Sequence, residues 1–172
     1  MPVVDDHTAL VRRALAGDRG AFSDLAAAEW RRLLALARSI VADLEAEDVV
    51  QDGLIKAWRK LGTLREPQAF SAWLTRIVAN TAVARARRRR LFESIDGVLA
   101  AAPSPCLDDR MDIAGLLRKL APRQRAVLHM TAVEGMTDRE IAETLGITSS
   151  SVRAHRLRAR RRLGEIVGPG GS

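Results

Sequence analysis

Apolar residues recur at intervals of three and four along most of the chain, the period of a helix that buries one face. Punctuated by Gly17, Asp43 and Gly62, the pattern predicts four helices near 6–16, 19–42, 44–61 and 67–90, enough for a compact bundle. In the third, Val50, Leu54, Ala57, Trp58 and Leu61 form the stripe turned inward. In the fourth it runs through Phe70, Trp73, Leu74, Ile77, Thr81 and Ala84, which makes Trp73 a core anchor rather than a platform for stacking bases. From Glu93 to Asp109 the period fails: Gly97, Pro103 and Pro105 intervene and large apolar residues are scarce after Leu99. Four shorter helices are predicted beyond it, near 109–120, 123–133, 138–145 and 149–165. The fold class is therefore all-α, with two small helical domains, 7–92 and 110–166, joined by a flexible linker over 93–109.

The second domain carries sharper local signals. Thr137 followed by Glu140 is a capping box, Gly146 is a helix stop, and Thr148 can cap the helix that follows. Two helices joined through Gly146-Ile147-Thr148, with Ile141, Ala142, Leu145, Ile147 and Val152 to lock their crossing, make a helix-turn-helix. In the last helix Val152, His155, Ala159 and Leu163 share the inward face, so His155 packs rather than acting as a base. Ser150, Arg153, Ala154 and Leu157 form the outward stripe, where Arg can grip guanine O6 and N7 and Leu can touch a thymine methyl.

Composition narrows the class. With 172 residues there is room for one ordinary domain or two small ones, not for a solenoid or a large multidomain enzyme. Aromatic residues are only 3% of the chain and Tyr is absent, so Ala, Leu, Val and Ile must fill the interior, which favours helices. One cysteine, Cys106, excludes an internal disulfide and reads as an ordinary free thiol; three scattered histidines give no zinc spacing. No metal, no cofactor and no catalytic residue is expected. No apolar run is long enough for a membrane span, and a cytoplasmic location is the simplest reading.

Charge changes the picture most. The net charge is +7, and since Lys56, Lys60 and Lys119 are the only lysines, Arg supplies nearly all the cations. Residues 76–90 hold six arginines and no acid, and residues 123–172 hold nine basic and five acidic side chains, while the rest of the chain is slightly acidic. Two solvated helix ends would account for either block alone. Two separated blocks are the footprint of two contacts with one polyanion. On the fourth helix Arg76, Asn80, Val83 and Arg87 fall on one side, with Arg88 beside them; Asn80 can read a base edge, whereas Arg on phosphate carries no sequence information. On the third, Asp48, Asp52, Lys56 and Arg59 oppose the buried stripe, flanked by Gln51 and Ile55. Asp48 and Asp52 could chelate a hard cation or act as an acid/base pair, but no further ligands converge on them. Ile55 among charges marks instead a surface that docks another protein.

These residues resemble a known family. Glu45-Ala46-Glu47-Asp48-Val49-Val50-Gln51-Asp52, continuing through Lys56-Ala57-Trp58-Arg59, is similar to the polymerase-docking helix of extracytoplasmic-function sigma factors. Phe70-Ser71-Ala72-Trp73-Leu74, Arg76-Ile77-Val78-Ala79-Asn80 and the arginine run resemble the next part of their region two. Leu120 to Arg125 and Glu134 to Ile147 resemble region four, although Arg156 stands where the family usually carries an apolar residue. The resemblance implies a promoter-specificity subunit with core RNA polymerase and promoter DNA, both duplex and melted single strand, as partners. Asp48, Gln51, Asp52, Ile55 and Arg59 would then bind polymerase, at the clamp coiled coil. Arg76, Asn80, Val83, Arg87 and Arg88 would capture the melted minus-ten element. Ser149, Ser150, Arg153, Ala154, Leu157, Arg158 and Arg160 would read the minus-thirty-five element. It also admits an anti-sigma factor as a partner, and leaves RNA synthesis to the polymerase. The alternative is a stand-alone helix-turn-helix regulator with an N-terminal sensor or dimerisation module.

Overall fold

The computed structural model describes residues 3–95 and 113–167, and all regular structure among them is helical. In chain order the helices are α1 (Val3–Leu15), α2 (Arg19–Ile40), α3 (Asp43–Lys60), α4 (Phe70–Ile95), α5 (Ile113–Arg118), α6 (Pro122–Ala132), α7 (Asp138–Leu145) and α8 (Ser149–Val167). They sort into two compact units. One gathers the described residues up to Arg38 and Ala42–Ala82; the other gathers Ser39–Val41 and the described residues from Val83 onward. By packing, the division falls inside α4. Most of the expected linker, residues 96–109, lies outside the described residues, as does Cys106.

Chain chemistry sets the breaks in the first unit. Gly17 ends α1 at φ 96°, a conformation that glycine adopts without steric cost. Asp18 Oδ1 then accepts from Ala21 N at 3.1 Å, satisfying an amide in the first turn of α2. That bond, with the Arg13 guanidinium on Oδ2, holds the Asp18 carboxyl below its ordinary range. Acidic Asp43 and Glu45 open α3, and Arg59 and Lys60 close it, each favourable to the helix dipole. A helix from 67 onward is predicted by the pattern, but Glu66 before Pro67 is extended, and Pro67–Ala69 form one 3-10 turn before α4 starts. At its other end α4 continues to Ile95, with Arg89 Nε donating to Glu93 Oε1 at 2.8 Å.

The core of the first unit is aliphatic with a small aromatic cluster. Leu25, Leu33, Leu36, Val49, Val50, Leu74 and Val78 are buried, and Phe22 meets Trp58 and Phe70 edge to face, with ring centroids 5.2 and 6.4 Å apart. Trp73, read from the sequence as a core anchor, is half-buried, with its ring 6.0 Å from that of Phe70. Of the predicted stripe on α4, Phe70, Leu74 and Thr81 are buried and Trp73 and Ile77 half-buried, but Ala84 is exposed; Val78 and Ala82 are buried as well, and past the division Val83 and Ala86 are the buried positions. One close approach needs a missing side chain. A Cβ on Gly53 of α3 would sit 2.7 Å from Val78 Cγ2, so glycine lets α3 and α4 touch backbone to side chain. A polar girdle ties α2 to the start of α4. Arg32 Nη2 donates to Glu29 Oε2 at 2.7 Å and to Thr75 Oγ1 at 2.8 Å, while the Ser71 hydroxyl donates to Glu29 Oε1. Burial pushes the Glu29 carboxyl up, but the bonds from Ser71 and Arg32 outweigh it and hold it below the usual range.

In the second unit Leu120, Ala126, Val127, Met130, Ile141, Leu145, Val152 and Ala159 close a core shared by α6, α7 and α8. Gln124 Oε1 accepts from Ala121 N at 2.9 Å at the start of α6. The capping box forms as predicted: Thr137 Oγ1 accepts from Glu140 N at 3.3 Å, and Thr137 N donates to Glu140 Oε2 at 2.7 Å. Gly146, at φ 63°, ends α7, and Thr148 Oγ1 accepts from Ser151 N at 3.2 Å to cap α8.

Candidate nucleic-acid interface

Three helix faces carry the residues singled out in the sequence. On α3, Asp48, Gln51, Asp52 and Arg59 are exposed, and Ile55 is 52% exposed although it is a large aliphatic. Leu44, which the sequence reading missed, is 96% exposed. At about 100° per residue these six positions fall in one sector roughly 100° wide, apolar at Leu44 and Ile55 and charged between and around them. The signal was available: Leu44 precedes Ile55 by three turns and continues the same line. Such a sector suits a protein partner, because Leu44 and Ile55 are left exposed and the charges around them set orientation. Among the described residues no group of three or more His, Cys, Asp and Glu could hold a metal ion.

On α4, Arg76, Asn80, Arg87 and Arg88 are exposed. Val83, expected on the same side, is buried at 5% exposure. Val78, Ala79, Thr81, Ala82 and Val83 are all buried, so this stretch of α4 is covered on more than one side. Asn80 Nδ2 donates to Arg76 O at 2.8 Å, which pins the amide against its own helix and sets the direction of its carbonyl oxygen. The arginine run is not uniformly free for phosphate. Arg89 pairs with Glu93, and Arg90 Nη2 donates to Leu120 O at 2.7 Å.

On α8, Ser150, Arg153, Leu157 and Arg160 follow one another at spacings of three and four and are all exposed, with Leu157 at 69%. Ser149 and Ala154 flank them, half-buried, and Arg158 is exposed on the adjoining side. Hydroxyls crowd the start of the helix: Thr148 Oγ1 lies 2.8 Å from Ser150 Oγ and 2.9 Å from Ser151 Oγ. A helix N-terminus dressed with donors, followed by a line of Arg and Leu, can face a phosphate and then base edges in a major groove. On the inner side Val152 and Ala159 are buried and His155 is half-buried. Burial, then the charges of Arg158 and Arg123, hold the imidazole below its ordinary pKa, so it stays neutral and packs.

Arg156 does not disturb this arrangement. Its Nη1 and Nη2 reach Asp138 Oδ1 and Oδ2 at 2.5 and 3.1 Å, a two-pronged bond from α8 to the first residue of α7. Sequence pattern gave no sign of it, because the partners are 18 positions apart. Arg125 is another residue the pattern could not place. It is buried in α6 and among the described residues its Nε has no hydrogen-bond partner; burial, with Arg90 and Arg118 nearby, lowers its pKa to about 10.

Residues 25–92 match the family described as Sigma-70 region 2, and residues 110–163 match Sigma-70, region 4. The ECF RNA polymerase sigma factor SigM of Mycobacterium tuberculosis is 31% identical over 163 residues, spanning 92% of this chain and 83% of its own. The RNA polymerase sigma-H factor of Pseudomonas aeruginosa is 33% identical over 180 residues, spanning 93% of each chain. Among solved structures, CnrH in complex with the cytosolic domain of CnrY is similar with a TM-score of 0.68 and 29% identity, over 96% of this chain and 99% of that one. The sigma factor RpoE in complex with the anti-sigma factor NepR, from Bartonella quintana, gives 0.67 and 28%, over 87% and 98%.

Proposed function

The chain belongs to the extracytoplasmic-function RNA polymerase sigma factors, and on that premise we propose how its surfaces divide the work of selecting a promoter. As a sigma factor it binds core RNA polymerase and promoter DNA and directs transcription initiation. The α3 sector, with Asp48, Gln51, Asp52, Ile55 and Arg59, docks the polymerase clamp. Arg76, Asn80, Arg87 and Arg88 of α4 hold the melted minus-ten strand, with Val83 buried on the same helix. Ser149, Ser150, Arg153, Ala154, Leu157, Arg158 and Arg160 of α8 read the minus-thirty-five element as duplex. A melted strand needs its bases held open and a duplex is read through its groove, which is why two different surfaces are required.

One observation carries this reading: a single chain presents an apolar and acidic docking sector on α3 together with two arginine-rich surfaces on α4 and α8. Residues 7–92 and 110–166 act as the two binding modules and 93–109 as the tether, so that engaging one promoter element makes the second contact intramolecular. The chain is not an enzyme; RNA synthesis stays with the polymerase, in the cytoplasm. The similar CnrH and RpoE structures hold the cytosolic domain of CnrY and the anti-sigma factor NepR, which supports an anti-sigma factor as a partner here too. A stand-alone helix-turn-helix regulator with an N-terminal sensor or dimerisation module is not favoured, because residues 25–92 match Sigma-70 region 2.

The test is the purified chain with core polymerase on genomic DNA fragments. New, discrete start sites are expected. Arg153→Ala weakens use of the upstream element selectively, and Asp52→Lys lowers polymerase binding. Full promoter-specific transcription by both variants overturns the residue assignments.

A further inference from the structure

The crossing of α7 and α8 rests on small and medium aliphatic residues: Ile141, Ala142, Leu145 and Val152. Contacts of this kind set spacing without a directional bond, and a small change in packing lets a helix turn about its own axis. A turn of about 20° on a helix of about 10–12 Å diameter carries a side-chain tip roughly 2 Å, enough to take a guanidinium off a base edge. Arg156 and Asp138 add a directional bond to these apolar contacts. Both prongs of the guanidinium meet both carboxylate oxygens, at 2.5 and 3.1 Å, with the two side chains 23% and 24% exposed. One turn earlier on α8, Arg153 Nη1 stands 3.8 Å from Asp138 Oδ2, within Coulombic reach but past hydrogen-bond distance, and its side chain is 62% exposed. A single carboxylate on α7 thus faces both the arginine that fixes α8 and the arginine placed to read bases.

We propose that Asp138 is a positioning residue for promoter readout: clamped by Arg156, it fixes the rotation of α8 and tethers Arg153, so that sequence preference is sharpened without Asp138 touching DNA. This rests on α8 being the readout helix. The carboxylate also keeps Arg156 from phosphates, trading overall affinity for selectivity.

That trade separates positioning from mere structural support. Holoenzymes assembled with wild-type chain, Asp138→Asn and Arg156→Gln are compared on a library randomised in the upstream element of a promoter that the wild-type holoenzyme uses. Asp138→Asn is expected to lose about tenfold in preference for the favoured element, the scale of one two-pronged base contact. It also frees Arg156 for phosphate, so its salt dependence steepens by about 0.9 in log-log slope. Arg156→Gln breaks the same bond from the α8 side, leaving the start of α7 intact; it broadens preference equally, without the steeper slope. The double variant is no broader than either single one. Thermal melting by circular dichroism accompanies each variant, since loss of fold would weaken all sequences together. If the wild type prefers an upstream element and Asp138→Asn keeps that preference with an unchanged salt slope, the positioning role is overturned while the readout helix stands. If wild-type holoenzyme starts at discrete sites with no upstream preference, the readout helix and this role fall together.

Discussion

Replacing Gly53 with alanine sets two opposed effects against each other. Alanine in a helix interior is favoured over glycine by about 1 kcal/mol. Its Cβ, however, would lie 2.7 Å from Val78 Cγ2 and 3.3 Å from Val78 Cα, where carbon atoms prefer about 3.5–4.0 Å. Val78 is fully buried, and a valine in a helix keeps one side-chain rotamer roughly 90% of the time, so the methyl cannot swing aside. The helices must part, which puts the cost near the top of the usual overpacking range, about 3 kcal/mol. The net is a loss of about 2 kcal/mol, or about 8–16 °C in Tm for a unit of this size. The assay is unusually clean, because Trp30, Trp58 and Trp73 are the only tryptophans and all lie in the first unit, so fluorescence follows that unit alone. Gly62→Ala, where nothing lies within 4 Å, is the control and shifts stability by less than about 1 kcal/mol. Val78→Ala should cost about 2 kcal/mol alone and little when combined with Gly53→Ala, a coupling only neighbours show. A Gly53→Ala chain as stable as wild type, or more so, with additive double-variant behaviour, refutes the argument.

Three further outcomes are expected. Leu44→Ala leaves melting unchanged and weakens association with core polymerase by about tenfold, from the loss of about 1–2 kcal/mol of apolar burial on docking; equal affinity in a titration removes Leu44 from the interface. Arg125→Met raises the stability of the second unit by about 1–2 kcal/mol in circular dichroism melts, because it deletes a buried cation whose Nε has no partner among the described residues; a lower melting temperature shows that the cation is compensated. His155 is held below the ordinary histidine value of about 6.5, so the unfolded chain takes up the proton first as pH falls. Stability of the second unit therefore declines as pH drops below about 6.5 and is regained above it. His155→Gln flattens that slope, and an unchanged slope between pH 5 and 7 assigns it to another group.

What could be read in advance was what the chain encodes locally. The α7–turn–α8 unit announces itself through Thr137, Glu140, Gly146 and Thr148, each of which acts within a few residues of its own position. The exposed sector of α3 follows from period alone. The remainder depends on partners remote in sequence. Period placed Val83 beside Arg76 and Arg87, but tertiary cover decides that it is buried and that Ala84 is not. A glycine in a helix is silent about what lies opposite, so the Gly53–Val78 approach could not be foreseen. Likewise Arg156 stands out as an arginine where the family carries an apolar residue, yet only the fold supplies Asp138 to meet it.

Leu44 and Ile55 leave a greasy strip of α3 wetted whenever the chain is alone. Whenever the chain outnumbers its polymerase those two side chains stay in water, so a co-expressed partner that covers them is expected to raise the yield of dispersed protein.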